Sequence, residues 1–437
     1  MGARETALHV LIACRKEDAW SNGVLKEYIR RDGLDSREAA LATRLCYGVL
    51  QNRLKLDFYL KQLLTGKLKD LHPALRDILH LGLYQLFEMD KIPQSAAVNE
   101  SVALAKKYCP RQKFAPGLVN GVLRSALRQE LRQPKSWAEQ YSHPQKLIDL
   151  LDGYVGHGNM EAMLKANNSA PDTVVQVNTL RTSTDALVET LHDAGVTVQP
   201  HPWMTDCLVL SHMGNLEQLE AFQKGEFYVQ DAAAKLSVLC AQLPKGEQVQ
   251  VLDCCSAPGG KTFAAAISMG GRGHIHSCDI HSHKTTLIES GALRLGMDNI
   301  SVYRQDASCF VPDWENAMDA VIADVPCSGY GIIRKKPDIR YKDPDTMRML
   351  PALQLAILEN QARYVKPGGV LLYSTCTLVR EENEGVVEAF LQKNSEFSLE
   401  PLPLPAVFPQ NVSGMLVLVP GQYDTDGFFI CRMRRKA

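Results

Sequence analysis

The stretch from Val249 to Thr262, VQVLDCCSAPGGKT, constrains this chain more than any other. An apolar run ends in an acidic, thiol-bearing turn; Pro258 fixes one backbone angle, Gly259 and Gly260 let the chain turn sharply, and a helix start follows. A parallel sheet opens a ligand crevice in this way at the carboxyl end of its first strand. Lys261 and Thr262 match the close of a phosphate loop, but GxxxxGK[ST] requires glycine at 255 and the chain has Cys255. The dinucleotide fingerprint GxGxxG is also absent. What remains is a nucleotide-type ligand without a pyrophosphate, with S-adenosylmethionine the leading candidate.

At 437 residues the chain is too long for one ordinary core, so two or three domains are expected. No apolar run approaches the roughly 20 residues of a membrane span. The amino-terminal MGARETALHVLIACRKEDAW lacks a signal-peptide cleavage pattern, and a cytoplasmic protein is expected. Twelve cysteines without a CxxC pair form neither a disulfide framework nor a zinc site. Cys14, Cys46, Cys109, Cys240 and Cys309 read as small buried hydrophobes. Residues 1–135 hold 23 Lys and Arg against 14 Asp and Glu, while the remainder is acidic. The basic third fits a polyanion such as RNA, and a solvated helical surface fits it equally.

Taken in order, residues 1–135 carry apolar positions at helical spacing. Stripes run through Ala40, Leu41, Leu45 and Val49, through Leu56, Tyr59 and Leu60, and through Leu75, Ile78 and Leu79, separated by short polar joints. Asp35 or Ser36 is placed to cap one helix, and another starts after Pro93. An all-α bundle follows. Residues 136–235 change pattern, with strands in DTVVQVNTL, VTVQP and CLVLS and a helix over 185–195, giving a small α+β subdomain. There Asn178, Thr179 and Arg181 at a strand end serve either RNA or a turn. Residues 236–437 alternate strand and helix, with strands predicted at 249–254, 273–279, 300–304, 318–324 and 369–375 and a closing hairpin from MLVLVP and GFFICRM. That pattern predicts an α/β, Rossmann-like sheet, parallel but for its last strands.

Asp279, Asp306 and Asp324 each stand at or just past a predicted strand end, where such sheets bind ligands. Turn formation alone would also favour aspartate there. In ADVPCSGYGIIRKKPDIR, Asp324 and Cys327 put a carboxylate and a thiol at the crevice mouth, and Arg334, Lys335, Lys336 and Arg340 follow as partners for a phosphate-bearing substrate. A flexible basic loop with an incidental cysteine is the plainer alternative. A second thiol, Cys376, follows the fifth strand in LLYSTCTLVREENE. The run HIHSCDIHSH is the one metal temptation, and no metal is expected from it.

Two resemblances join these observations. LCYGVLQNRLKLD, LRDILHLGLYQL, IPQSAAVNESVALAK and LVNGVLR make the first third similar to the NusB-like RNA-binding fold, with Lys106, Lys107, Arg111 and Arg124 as candidate phosphate contacts. CSAPGGKT, DVPCSG and YSTCTL, in this order, resemble the RsmB (Fmu/Sun) family of RNA cytosine carbon-5 methyltransferases, over the whole chain. The family resemblance implies that Cys376 is the nucleophile and Cys327 assists product release. It also implies that Cys255, Ser256, Ala257, Pro258, Gly259, Gly260, Lys261, Asp279, Asp306 and Asp324 contact S-adenosylmethionine or the base. Ser256 stands where alanine is usual. The NusB-like start implies small-subunit (16S) ribosomal RNA as the partner over transfer RNA. A monomer, with neither metal nor membrane, is expected; a related methyltransferase of another RNA, or a non-catalytic RNA-binding protein, stays open as an alternative.

Overall fold

The computed structural model describes residues 1–16, 21–410 and 412–437, which divide into two compact units. The first comprises Met1–Gly153, Leu164–Asn168 and Ile333–Lys342. Its helices Ala3–Lys16, Ser21–Arg31, Ser36–Leu63, Pro73–Glu88, Gln94–Tyr108 and Ala115–Arg128 surround a core that includes Leu45, Leu60, Leu75 and Ile78. Asp35 is the cap at the start of the third helix, its carboxylate accepting the Glu38 amide at 2.8 Å. The two apolar stripes expected on separate helices lie on this one helix, Ser36–Leu63. Nothing between them, in QNRLKL, breaks a helix, so its polar residues continue the helix, half-buried, and form no joint. Gly48 lets this helix approach the next closely: a Cβ there would lie 1.9 Å from the Tyr84 ring.

The basic segment after the Cys327 motif packs in this unit. Asp338 accepts both the backbone amide (3.2 Å) and the hydroxyl (2.8 Å) of Ser21, capping the second helix from 317 residues away. Arg340 is fully buried, which overturns its assignment as an RNA contact. Its guanidinium donates to the carbonyl of Gln51 (3.0 Å), to Asn168 Oδ1 (2.8 Å) and to the carbonyl of Asn167 (3.2 Å). A planar fork with five donors suits a cage of carbonyls. Burial pushes its pKa down to about 10.

The second unit comprises Tyr154–Met163, Ser169–Ile332 and Asp343–Ala437. Its smaller sheet holds β1 (Thr173–Val177), β2 (Thr197–Pro200), β3 (Cys207–Ser211) and β4 (Phe227–Val229), in the order β2-β3-β1-β4 and antiparallel throughout. Asn178, considered for RNA, is buried, its amide donating to the carbonyls of Gly225 (2.9 Å) and Leu295 (3.0 Å). The larger sheet holds β5 (Gln250–Asp253), β6 (His274–Asp279), β7 (Ile300–Arg304), β8 (Met318–Asp324), β9 (Val365–Thr375), β10 (Phe397–Leu399), β11 (Met415–Leu418) and β12 (Phe428–Arg435). Their order is β10-β12-β9-β8-β5-β6-β7, with β11 on β12.

Strands β5 to β9 are parallel, and β12 runs antiparallel to β9. After β5 the chain builds outward through β6 and β7, then returns to the other side of β5 for β8 and β9. That reversal is a topological switch point, and the crevice opens at the carboxyl ends of β5 and β8. The residues Val251, Ile275, Val321, Ile322, Leu371 and Leu372 are buried, as expected where both faces of a parallel sheet are covered.

Candidate active site

Three sequence motifs converge because their strands are neighbours. The glycine turn leaves β5, Asp324 ends β8, and Cys376 follows β9. Register pairs Asp324 with Ser374 across β8 and β9, and the Ser374 hydroxyl donates to Asp324 Oδ1 at 2.8 Å. Lys261, on the first turn of helix Gly260–Ser268, donates to Asp324 Oδ2 at 2.6 Å, with its ammonium 4.9 Å above the Phe428 ring. A carboxylate engaged on both oxygens is held in one orientation.

The thiols of Cys327 and Cys376 lie 3.3 Å apart, both half-buried. The hydrogen bond shared with Cys376, then burial, push the Cys327 thiol well above its usual pKa. Cys327 therefore keeps its proton and can donate it toward the Cys376 sulfur.

The glycine turn is tightly enclosed. Gly259 has φ +109°, and a Cβ there would meet the Phe263 ring at 2.5 Å; at Gly260 a Cβ would lie 3.1 Å from the Gln230 amide. A cavity of about 150 Å³ beside it is lined by Gln230, Cys255, Ser256, Pro258, Lys261 and Asp324, among others. Ala257 is also part of its wall. Asp279, buried at the end of β6, accepts the His281 amide at 3.0 Å, and Lys284 stands 3.9 Å away. Asp306 uses Oδ1 for the amide (2.9 Å) and hydroxyl (2.7 Å) of Ser308, which hold its carboxyl below the usual range.

Beneath the turn runs a hydroxyl chain that sequence reasoning missed. Thr262 Oγ1 is 2.7 Å from Asp253 Oδ2 and 2.9 Å from Ser277 Oγ; Ser277 is 2.8 Å from Ser256 Oγ, which donates to the Cys278 carbonyl at 2.9 Å. Thr262 donates to Asp253 Oδ2, and burial pushes the Asp253 pKa up to about 7. This chain is also the reason serine fits at 256, where its hydroxyl ties the turn to β6.

The remaining candidates are dispersed. Lys106, Lys107, Arg111 and Arg124 are exposed on the helical unit, Lys107 paired with Glu5 and Arg124 bonded to Asn120. Arg334 and Lys335 are half-buried and Lys336 exposed, all in the same unit as Arg340. Cys309, expected inside, is exposed, and Cys14 is half-buried. Among the described residues no His, Cys, Asp and Glu group could hold a metal ion, and no helix is long and apolar enough to cross a membrane.

Comparison with known proteins places this geometry. A family model described as 16S rRNA methyltransferase RsmB/F matches residues 240–434, the NusB family matches 1–128, and an RsmF/B-like ferredoxin-like domain matches 143–217. The probable ribosomal RNA small subunit methyltransferase B of Bacillus subtilis is 37% identical over 99% of this chain and 98% of its own. The chain belongs to the RsmB/F family of 16S rRNA methyltransferases. As a member it is an S-adenosylmethionine-dependent rRNA methyltransferase, with a NusB-like helical domain ahead of its methyltransferase sheet. Its fold is shared with the crystal structure of PH0851, at a TM-score of 0.82 and 24% identity over 100% of this chain and 99% of that one. NSun6 of Pyrococcus horikoshii, solved with SFG, matches 67% of this RsmB/F chain and 98% of its own at a TM-score of 0.58 and 20% identity.

Proposed function

We propose that this enzyme methylates carbon 5 of a cytosine in small-subunit ribosomal RNA through a covalent bond between Cys376 and carbon 6. The observation that carries the reading is the pair of thiols 3.3 Å apart beside a carboxylate fixed by Lys261 and Ser374. In this reading one thiol attacks and the other acts on what the attack creates. The RNA substrate is supported by the name of the Bacillus subtilis relative.

Carbon 5 of cytosine is too weak a nucleophile to take a methyl group unaided, so covalent catalysis divides the step. The Cys376 thiolate adds to carbon 6 while Asp324 hydrogen-bonds the ring and favours its protonation, leaving carbon 5 electron-rich. S-adenosylmethionine supplies an electrophilic methyl group when bound. A base takes the proton from carbon 5, and the freed electron pair re-forms the carbon 5–carbon 6 double bond. The bond from Cys376 to carbon 6 breaks with its electrons returning to the Cys376 thiolate, and Cys327 assists that release. The target base must leave its stack to reach both thiols.

The residues present fit the methyl donor. The enclosed turn Cys255–Lys261 offers backbone where Gly259 and Gly260 exclude side chains, Asp279 suits the ribose hydroxyls, and Asp306 suits the adenine side. The bound SFG of NSun6 supports a ligand of this class in this fold. Exposed Lys106, Arg111 and Arg124, with Lys107 once released from Glu5, take phosphate contacts, joined by Lys336 with Arg334 and Lys335.

The test is methyl transfer from labelled donor to ribosomal RNA, followed by nucleoside analysis. Label is expected in 5-methylcytidine, absent with Cys376→Ala, and Cys327→Ala is expected to accumulate protein covalently joined to RNA. Label in another nucleoside, or full transfer by Cys376→Ala, overturns the reading.

A further inference from the structure

We propose that Glu382 and Asn383, adjacent in the chain, are positioning residues for the two thiols: Glu382 holds the loop of Cys327 and Asn383 the loop of Cys376. The inference rests on the thiol roles proposed above.

Glu382 is 2% exposed, yet it carries a carboxylate. Its Oε2 accepts the backbone amide of Ser328 at 2.9 Å, and the Gln354 side-chain amide, also at 2.9 Å. The same Gln354 nitrogen donates to the carbonyl of Pro326 at 2.9 Å. Both residues flanking Cys327 are thus tied to Glu382, one directly and one through Gln354. Asn383 is fully buried and grips the other loop: its Oδ1 accepts the Thr375 hydroxyl at 2.6 Å, and its Nδ2 donates to the Thr377 carbonyl at 3.1 Å. Those are the two residues flanking Cys376. The loops are joined to each other where Ser328 Oγ meets Thr377 Oγ1 at 2.6 Å, and the Tyr373 hydroxyl holds the Glu382 carbonyl at 2.6 Å.

A buried carboxylate is costly unless its charge does something that an apolar side chain of that size cannot. Here two donors converge on one oxygen, the Ser328 amide from the turn and the Gln354 side chain from helix Leu350–Ala362. Helical or strand packing holds neither cysteine, since Cys327 lies in a loop after β8 and Cys376 just past the end of β9. The bracket supplies the rigidity that catalytic geometry requires, where a misplacement of about 1 Å can cost roughly 100-fold in rate.

Because each side chain serves one thiol, the two predict different defects. Glu382→Ala loosens Cys327, so first-turnover methyl transfer stays within about threefold of the parent while steady turnover falls at least ~tenfold and protein–RNA adduct accumulates. Glu382→Gln, which keeps an acceptor for Ser328, recovers most of that turnover. Asn383→Ala loosens Cys376, so the first turnover itself slows at least ~tenfold and no adduct accumulates. Full-length variants are assayed on undermethylated small-subunit ribosomal RNA, with adduct read on denaturing gels and donor affinity and thermal midpoint measured alongside. Defects of one kind in both variants, or turnover equal to the parent, overturn the bracket. If Glu382→Ala does not fold, Gln354→Ala leaves Glu382 in place and must accumulate adduct; its failure to do so overturns the proposal as well. Cys376→Ala and Cys327→Ala run in parallel: if they behave as proposed and the bracket variants do not, the bracket alone falls. If they do not, both readings fall.

Discussion

Lys261 and Arg340 are both basic residues in motif loops, and both were candidates for contacts at the crevice, yet the two units use them differently. Lys261 faces the cavity beside the glycine turn, paired with the Asp324 carboxylate. Arg340 is enclosed by carbonyls of the helical unit, where its charge ties together three chain segments and touches no solvent. The same contrast holds for buried acids. Asp57 in the helical unit meets Arg76 and lies 2.8 Å from His80 Nε2, while Asp253 beneath the glycine turn accepts the Thr262 hydroxyl at 2.7 Å. Arg340 and Asp57 are thus held by fixed partners in the helical unit, whereas Lys261 lines a cavity.

The sharpest way to break this contrast is to remove each cation. Lys261→Met is expected to lower kcat/KM about 10²–10³-fold, roughly 3–4 kcal/mol, with an unchanged thermal midpoint. Arg340→Met is expected to do the reverse, lowering the stability of the helical unit by about 3 kcal/mol as its carbonyls lose their donors. Hydrogen exchange of helix Ser36–Leu63 reads that loss. A stability defect in Lys261→Met with normal catalysis would erase the distinction.

The acids sharpen it through opposite pH dependences. Burial alone would push the Asp57 carboxyl up, but hydrogen bonds and charge from His80 and Arg76 outweigh it and hold it below the usual range. Its contribution is therefore present above the unfolded pKa of about 4 and lost as pH falls through the lower folded value. Asp253 is raised to about 7, so its contribution is full below about pH 4 and lost as pH rises through 7. Asp253→Asn keeps an acceptor for Thr262 and cannot ionise, so it should flatten that decline, gaining roughly 1–3 kcal/mol at about pH 8. Asp57→Asn should instead lose stability at neutral pH. Equal slopes in melts of parent and Asp253→Asn would refute the raised pKa of Asp253.

The smallest effect concerns the exposed cations. Replacing Lys106, Arg111 and Arg124 by glutamine should weaken RNA binding evenly across sequences and reduce the salt dependence by up to about one unit of slope for each phosphate no longer neutralised. Filter binding at several salt concentrations measures it.

Much of the fold was legible because strand signals are local. The predicted ranges 300–304 and 318–324 coincide with β7 and β8, and the glycine turn leaves a buried strand as its residues require. The joint expected inside Ser36–Leu63 failed because a polar side of a long helix and a polar loop have similar composition. The thiols and Asp324 could be nominated because each follows an apolar run at a strand end. Glu382 and Asn383 could not, since EENE after YSTCTL has the composition of an ordinary acidic surface.

By itself, then, the sequence determined the elements, their alternation and the residue types at the strand ends, because periodicity and turn chemistry act over a few neighbours. Only the tertiary structure decided which charges are buried and which thiols meet. Arg340 finds its acceptor 289 residues away in Gln51, and Cys327 meets Cys376 across 49 residues through the adjacency of β8 and β9. Burial and pairing are properties of that packing, and no local pattern encodes them.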